Sequence, residues 1–170
     1  VSTREITRGY AAHGSPQGVF TYNENNNVTL TEQQGELYLT LAFSDVDLWV
    51  SSWAELQSAV NNSANQGKVI GLNSDLTPSG QERIEVENGR VITIELAGHT
   101  MNRGFTSDKS QGNVFKVADS NTHLTIRDTL GTGVIRGGYT KGDGGGFYVV
   151  DQAKLTIESG AVYGNGATSD

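Results

Sequence analysis

The sequence predicts an all-β protein folded as a parallel β-helix, because three short patterns recur at a nearly constant period. Segments that read apolar, Thr, apolar, charged begin at residues 92, 124 and 155, so their spacing is 32 and then 31 residues. Phe115 recurs as Phe147 in step with them, and residues 133–137 resemble residues 160–164. Short strands that recur in a fixed order are typical of a solenoid, in which each coil covers the next. Because no helical pattern separates the strands, we expect the coils to be entirely β.

Strand alternation predicts which side chains point inward, since successive residues face opposite sides of a strand. We expect four stacked columns in the core, namely Ile92/Leu124/Leu155, Ile94/Ile126/Ile157, Phe115/Phe147 and Val117/Val149. Glu95, Arg127 and Glu158 are expected to point outward, with Arg127 between two carboxylates on coils about 4.8 Å away. Each such exposed pair would favour the register by about 0.2–1 kcal/mol.

One amphipathic α-helix is predicted over residues 52–64, immediately before the first coil. Ser52 and Glu55 have the spacing of a capping box, and Trp53 begins an apolar stripe that continues through Leu56, Ala59/Val60 and Ala64. A solenoid needs terminal caps because its first coil exposes an apolar interior and a strand edge. We therefore divide the chain into an N-terminal β segment of unknown role (1–50), a capping helix (51–67) and β-helix coils (68–170). The alternative is a helix that lies along the side of the solenoid.

The N-terminal segment has the alternation of antiparallel strands at residues 19–22, 28–31 and 37–43. Further along, residues 103–112 form a long polar stretch between two predicted coils, and we expect a protruding loop there. Asp170 occupies the position of Asp143 just before another coil would begin, so we expect the chain to be cut from a longer solenoid.

Composition excludes several classes of function. With no Cys, the chain has no disulfide and no Cys-ligated zinc site. A net charge of −7 without a basic cluster argues against nucleic acid as a partner. No apolar run is long enough for a transmembrane helix, so we expect no membrane insertion.

The recurring segments resemble the right-handed parallel β-helix regions of large surface proteins of Gram-positive gut bacteria. The resemblance spans residues 52–170 and rests on the motifs Ile92-Thr93-Ile94-Glu95-Leu96-Ala97-Gly98-His99-Thr100, Leu124-Thr125-Ile126-Arg127-Asp128 and Gly144-Gly145-Gly146-Phe147-Tyr148-Val149 with Leu155-Thr156-Ile157. It implies a secreted or cell-surface location. It also implies an adhesin-like scaffold without enzyme activity.

Candidate site residues are few, and each has a simpler structural interpretation. Tyr139, Tyr148 and Tyr163 are expected to be exposed and, with Arg136, to form a binding face for sugars or protein partners. Asp143 and Asp170 stack in glycine-rich loops, where carboxylates can hold Ca²⁺, although Asp is also a common turn residue and we prefer that interpretation. Otherwise we expect no cofactor.

Some proteins with a parallel β-helix are enzymes, so a catalytic role for this chain is also considered. Glycoside hydrolases need two carboxylates about 5–9.5 Å apart, and Glu95 with Glu158 could supply them. Arg127 between them would keep both pKa values low, whereas a general acid needs a raised pKa, so we prefer a salt-bridge ladder.

The sequence therefore predicts a binding module for a host glycan or a host protein such as mucin or immunoglobulin. The alternative is a fragment of a β-helix polysaccharide lyase or glycoside hydrolase. We also expect a weak homodimer through the C-terminal coil, residues 147–166, because its strand edges have no following coil to pair with.

Overall fold

The protein consists of two compact units, Val1–Ser44 and Asp45–Asp170. The structure, a computed structural model, describes residues 9–10, 16–17, 28–33, 36–41, 43 and 45–168. The predicted strand at 19–22 and the candidate ligand Asp170 lie outside these residues.

The first unit contains two antiparallel pairs. Strand β1 (Gly9–Tyr10) pairs with β2 (Pro16–Gln17), and β3 (Val28–Gln33) pairs with β4 (Glu36–Leu41). The antiparallel strands predicted at residues 28–31 and 37–43 correspond to β3 and β4, although β4 ends at Leu41.

The second unit contains one α-helix, one 3₁₀ helix and thirteen strands among its described residues. It begins with β5 (Leu48–Val50), α1 (Trp53–Asn61), a 3₁₀ helix (Ser63–Asn65), β6 (Val69–Leu72) and β7 (Ile84–Val86). The strands that follow are β8 (Val91–Glu95), β9 (Thr100–Asn102), β10 (Phe115–Val117), β11 (His123–Arg127), β12 (Val134–Arg136), β13 (Tyr139–Lys141), β14 (Phe147–Val149), β15 (Lys154–Ile157), β16 (Ala161–Val162) and β17 (Gly166–Thr168).

All strand pairs of this unit are parallel. The sheets have the orders β15-β11-β8-β6-β5, β14-β10-β7, β16-β12-β9 and β13-β17. The strands at 48–50, 139–141 and 166–168 were not predicted. Leu48–Val50, which the sequence analysis assigned to the N-terminal segment, extends the largest sheet of the second unit. The fold is thus all-β, built of parallel sheets with one α-helix.

The predicted core columns are confirmed by the register. Leu124 pairs with Ile92 and Leu155, Ile126 pairs with Ile94 and Ile157, and the Phe115 and Phe147 rings stack with centroids 5.1 Å apart. Their inner members are buried, whereas side chains on the outermost strands keep contact with solvent: Val149, Ile157 and Val162 are 40%, 45% and 41% exposed.

Helix α1 begins as predicted and ends earlier. The Ser52 hydroxyl accepts a hydrogen bond from the Glu55 N–H, and the Glu55 carboxylate accepts one from the Ser51 N–H instead of completing a capping box with Ser52. The helix stops at Asn61 because the next side chain, Asn62, bonds the Ala64 N–H and holds its own backbone extended. Ala64 is therefore exposed rather than part of the apolar stripe, which Trp53, Leu56, Ala59 and Val60 form alone.

The segment of residues 103–112 is anchored at two positions to the chain at β13. Phe105 and Lys109 donate backbone hydrogen bonds to the carbonyls of Gly137 and Tyr139, which hold the segment against the chain at β13. At Gly112 a Cβ atom would lie 1.7 Å from the Tyr139 carbonyl oxygen, so a larger residue would not fit. Residues 106–111 are exposed, so the segment predicted as a protruding loop lies at the surface, although these hydrogen bonds tie it to its neighbouring strand.

No helix in the described part of the chain is long and apolar enough to cross a membrane.

Candidate functional site

A cleft with polar walls runs between helix α1, the loop before β7 and the segment that ends at residue 112. We call it the polar cleft. Its volume is about 580 Å³, and it is lined by Gln57, Asn61, Gln81, Glu82, Arg83, Glu85, Glu87, Asn88, Arg90 and Gln111. Volumes of about 300–1,000 Å³ are typical of ligand sites, but most such sites are apolar. This cleft instead presents amide and charged groups, so it suits a ligand rich in hydroxyl groups.

A second, smaller cleft adjoins the first, since both include Arg83 and Gln111 in their walls. We call it the tyrosine cleft. Its volume is about 330 Å³, and its other lining residues are Ser110, Asn113, Thr140, Lys141, Gly142, Asp143 and Tyr148. Strand register places Tyr148 next to Lys116, and Lys116 next to Glu85 of the polar cleft. An aromatic side chain therefore lies beside an array of hydrogen-bonding groups.

Some of the charged groups along these clefts are paired with one another or with a neighbouring residue. The Arg83 guanidinium donates from Nε to Glu85 at 3.0 Å and from Nη1 to the Asn113 side-chain oxygen at 2.9 Å. Lys116 donates to Glu87, and this hydrogen bond raises the pKa of the Lys116 ammonium. Glu82 is different, because it forms no hydrogen bond or ion pair with another described residue. The lining therefore combines ion-paired groups with Glu82, Arg90 and Asp143, which form no ion pair with another described residue.

The Arg103 side chain forms hydrogen bonds with the backbone of two segments that line the polar cleft. Its side chain is buried, with 2% of the residue exposed, and its guanidinium donates to the backbone carbonyls of Asn113, Gln81 and Gln111. The same group lies over the Phe105 ring, 4.7 Å from its centroid. Burial lowers the pKa of Arg103 to about 10, against a smaller opposing effect of Glu82. A buried cation is costly to place, so its role is to fix the two segments that carry the Gln81 and Gln111 side chains.

The carboxylates of the polar cleft are poorly arranged for general acid catalysis. Glu85 lies on β7 and Glu87 directly follows the last residue of that strand, Val86. Each of the two carboxylates is already bonded to a cation, Glu85 to Arg83 and Glu87 to Lys116. The geometry therefore suits ligand binding better than proton donation.

The predicted ladder of Glu95, Arg127 and Glu158 is wrong in two respects. Glu95 does not point into solvent, for it is fully buried. Its oxygens accept from the backbone N–H of Ala97 (2.9 Å) and of Thr129 (2.8 Å), from the Thr129 hydroxyl and from Arg127 Nε (2.7 Å). Glu95 is the last residue of β8, and the chain turns directly after it, with Ala97 and Gly98 at positive φ, so its carboxylate is covered by this turn, by Thr129 and by Arg127.

The second carboxylate on Arg127 is Asp45 rather than Glu158. The guanidinium donates to both Asp45 oxygens, at 2.7 and 3.1 Å, whereas Glu158 is exposed and outside the ion pairs found in the described residues. Hydrogen bonding to Arg127 lowers the pKa of Asp45, and in return raises that of Arg127. Glu95 and Glu158 therefore do not form a catalytic pair.

The structure does not bring the predicted aromatic residues together. Tyr148 lies on β14 in the tyrosine cleft, Tyr139 lies on β13, and Tyr163 follows β16, so the three belong to different sheets. Tyr163 is exposed, whereas Tyr139 and Tyr148 are half-buried. Arg136 is an exposed residue of β12, whose register places it beside Tyr163. Of the four, Tyr148 lines the tyrosine cleft.

Asp143 is exposed in the tyrosine cleft, and its backbone carbonyl accepts from the Asn113 side chain at 3.0 Å. In the described ranges, no group of three or more acidic or histidine side chains could hold a metal ion. Asp128, another predicted turn residue, is buried and accepts from the N–H groups of Gly98 and Gly133, which gives it a structural role.

Sequence reasoning missed the amide residues that line the polar cleft. Gln57, Gln81 and Gln111 lie in a helix and two loops outside the recurring segments, so periodicity carries no information about them. Their common feature, a side chain that both donates and accepts hydrogen bonds, becomes visible only when the fold brings them together.

No family model matches the chain, and no curated protein or solved structure shows significant similarity to it.

Proposed function

We propose that the chain is a non-enzymatic, adhesin-like binding module of an extracellular bacterial surface protein, and that it binds a glycan in the polar and tyrosine clefts. The observation that carries the proposal is the cleft lining, which combines several amide side chains with charged groups of both signs, among them the Arg83–Glu85 ion pair. Sugar hydroxyls both donate and accept hydrogen bonds, as do Gln and Asn amides. A Tyr ring offers an apolar face with a polar edge, which suits the face of a sugar.

The scaffold that we propose is a right-handed parallel β-helix with α1 as its N-terminal cap. Three observations support it: the parallel sheets, the register that follows the repeat of 31 or 32 residues, and the contact of α1 with β7 at the edge of a sheet. In such a scaffold the clefts lie on the outside of successive coils, where an extended oligosaccharide can contact more than one coil. Secretion or surface display follows from this assignment and is part of the proposal.

The ligand that we favour is a neutral oligosaccharide. Arg83, which lines both clefts, is bonded to Glu85, and Lys116 on the neighbouring strand is bonded to Glu87. A polyanionic ligand would have to compete with these carboxylates. A protein ligand is less suited to the clefts, because the cores of protein interfaces are enriched in apolar and aromatic side chains.

The test is a glycan array probed with the labelled chain, followed by titration of the best oligosaccharide against variants. Tyr148→Ala and Gln81→Ala should each weaken binding by about tenfold, since each removes a contact of the proposed site. Tyr163→Ala is the matched control, because it removes a tyrosine that lies in neither cleft, and its affinity should be unchanged.

Two results would contradict the proposal. Loss of binding in Tyr163→Ala with normal binding in Tyr148→Ala would move the site to the face that carries Arg136. Shortening of the oligosaccharide during the titration, abolished by Glu85→Gln or Glu87→Gln, would instead support the alternative of a β-helix lyase or hydrolase.

A further inference from the structure

Gln81 and Gln111 lie in different loops but are held by one buried group. The carbonyl oxygens of both residues accept hydrogen bonds from the same nitrogen, Arg103 Nη2, and the bond to Gln111 is 3.2 Å long. Arg103 is buried, and its Nε donates to the Asn113 carbonyl at 2.9 Å, which fixes the guanidinium. The two loops are therefore close together at this point, and both glutamine side chains line the polar cleft. We call Gln81 and Gln111 the glutamine pair.

The side-chain amides of the glutamine pair are available to a ligand. Both residues are exposed, and neither amide forms a hydrogen bond with another described residue. Gln57, the third glutamine of the polar cleft, is different, because its amide is bonded to the backbone of Glu85. A glutamine amide has two N–H donors and one acceptor oxygen, so the pair offers both kinds of hydrogen-bonding group twice.

Gln111 has a backbone conformation that favours other residue types. Its φ is 58°, and it occupies the third position of a turn that is closed by the hydrogen bond from the Gly112 N–H to the Lys109 carbonyl, at 3.2 Å. A positive φ at this position favours Gly or Asn. The Gln111 side chain is exposed, so burial does not offset the strain. A strained residue that its surroundings hold in place beside a cleft indicates a functional role.

The hydrogen-bonding groups of the pair indicate what kind of ligand fits. Gln111 lines both clefts, whereas Gln81 lines the polar cleft. Two neighbouring amides match two adjacent hydroxyl groups, because a hydroxyl and an amide can each donate and accept a hydrogen bond. A neutral 1,4-linked chain of pyranose sugars leaves the C2 and C3 hydroxyls of each ring free. Such a chain therefore presents an adjacent hydroxyl pair at every ring.

We propose that Gln81 and Gln111 together bind the adjacent C2 and C3 hydroxyls of a neutral 1,4-linked glycan, and that Gln111 determines the specificity for this hydroxyl pair. This inference rests on the proposed function, because it names the class of glycan that the clefts bind. Arg103 is a positioning residue, since it holds the two backbone carbonyls. A glycan with an acetamido group at C2 lacks the hydroxyl pair, and a site built to bond a hydroxyl rejects an analogue without it.

The experiment is calorimetric titration of the full chain with cellotetraose, mannotetraose, maltotetraose and tetra-N-acetylchitotetraose. The first three carry the hydroxyl pair on every ring, and in the fourth an acetamido group replaces each C2 hydroxyl. We expect at least one of the first three to bind about tenfold tighter than the fourth. Gln111→Gly should weaken the binding of that tetrasaccharide by about tenfold. It should also raise the melting temperature by about 2–4 °C, because Gly adopts a positive φ without strain.

Gln152→Gly is the matched control. Gln152 is also exposed and has a φ of 67°, but it lines neither cleft. The substitution should raise the melting temperature in the same way and leave the affinity for each tetrasaccharide unchanged. A gain in stability together with a loss of binding, seen in Gln111→Gly alone, distinguishes recognition by the side chain from a purely structural role.

Several results would overturn the inference. Among these are equal affinity for tetra-N-acetylchitotetraose, no binding of the other three tetrasaccharides, and unchanged affinity in Gln111→Gly. A lower melting temperature of Gln111→Gly would do the same, because the loss of binding would then follow from damage to the fold. If the chain still binds another glycan of the array through Tyr148, the proposed function stands and only the hydroxyl-pair specificity fails. An array on which no glycan binds overturns both.

Discussion

Glu95 is a fully buried carboxylate that holds two turns and a cation together. Four hydrogen bonds converge on its two oxygens, from Ala97, Arg127 and both the backbone and the hydroxyl of Thr129. All four partners are donors, and an ionised carboxylate is a pure acceptor with room for each of them. A buried charge is stable in a protein when it is paired and hydrogen-bonded in this way. We therefore assign Glu95 a role in stability rather than in catalysis.

We predict that Glu95→Gln lowers the free energy of unfolding by about 3 kcal/mol. The amide nitrogen of Gln cannot accept a hydrogen bond. The donors that are bonded to one of the two Glu95 oxygens would therefore lose their acceptor in the variant. Denaturant unfolding followed by circular dichroism measures the change.

Glu158→Gln is the matched control, since Glu158 is exposed and should change stability by no more than about 0.5 kcal/mol. Equal effects of the two substitutions would mean that Glu95 and Glu158 are equivalent members of one exposed ladder, as strand alternation alone suggests.

Helix α1 takes the place of a neighbouring strand at the edge of the sheet that ends in β7. The Gln57 side chain accepts from the Glu85 N–H at 2.7 Å and donates to the Glu85 carbonyl at 3.0 Å, so one amide satisfies both backbone groups of an edge residue. Edge strands with free backbone groups promote unwanted pairing, and covering them with a helix is a common remedy. The helix thus protects this edge by polar contacts as well as by its buried apolar stripe.

We expect Gln57→Met to destabilise the protein by about 1–2 kcal/mol, because two hydrogen bonds to Glu85 and one to the exposed Asn61 side chain are lost while the side-chain volume is nearly kept. The specific measurement is hydrogen exchange: the Glu85 amide proton should exchange faster in this variant. Ser58→Ala, an exposed change in the same helix, is the control and should leave this exchange rate unchanged. Unchanged protection of the Glu85 amide in Gln57→Met would show that the helix covers this edge by apolar packing alone.

At the scale of the whole molecule, the sequence repeat predicts the strands that recur but gives no information about the strands that do not. The columns through Ile94, Ile126 and Ile157 follow directly from the spacing, because in-register parallel stacking places equal residues above one another. Strand β5 was missed because Leu48–Val50 has no repeated counterpart in the sequence. Glu95 was misplaced because the turn at Ala97 and Gly98 is a three-dimensional feature that alternation along one strand does not contain.

The candidate site was less predictable than the fold for a related reason. A cleft is defined by residues from separate segments, and here Gln57, Gln81 and Gln111 come from a helix and two loops. Of the residues singled out in the sequence, Tyr148 and Asp143 line the tyrosine cleft, while Tyr163 and Arg136 lie on another sheet. The exposure expected from the sequence does not distinguish the residues that line a cleft from those that do not.

The core column of isoleucines allows a direct test of the stacking on which the fold depends. Ile126 is fully buried between Ile94 and Ile157, whereas Ile157 in the same column is 45% exposed. Ile126→Asp places an unpaired charge in the core at a cost of several kcal/mol, a large share of the roughly 5–15 kcal/mol that stabilises a typical domain. We expect this variant to be largely unfolded or insoluble, and to lose most of the β signal in its far-ultraviolet circular dichroism spectrum.

Ile157→Asp is the matched control for this test. Its carboxylate can reach solvent, so we expect a folded protein that is less stable than the parent by about 1 kcal/mol. Melting curves of the two variants are recorded at the same protein concentration. Equal melting temperatures for the two variants would contradict the burial of Ile126, since a carboxylate is tolerated only where water or a partner can stabilise it.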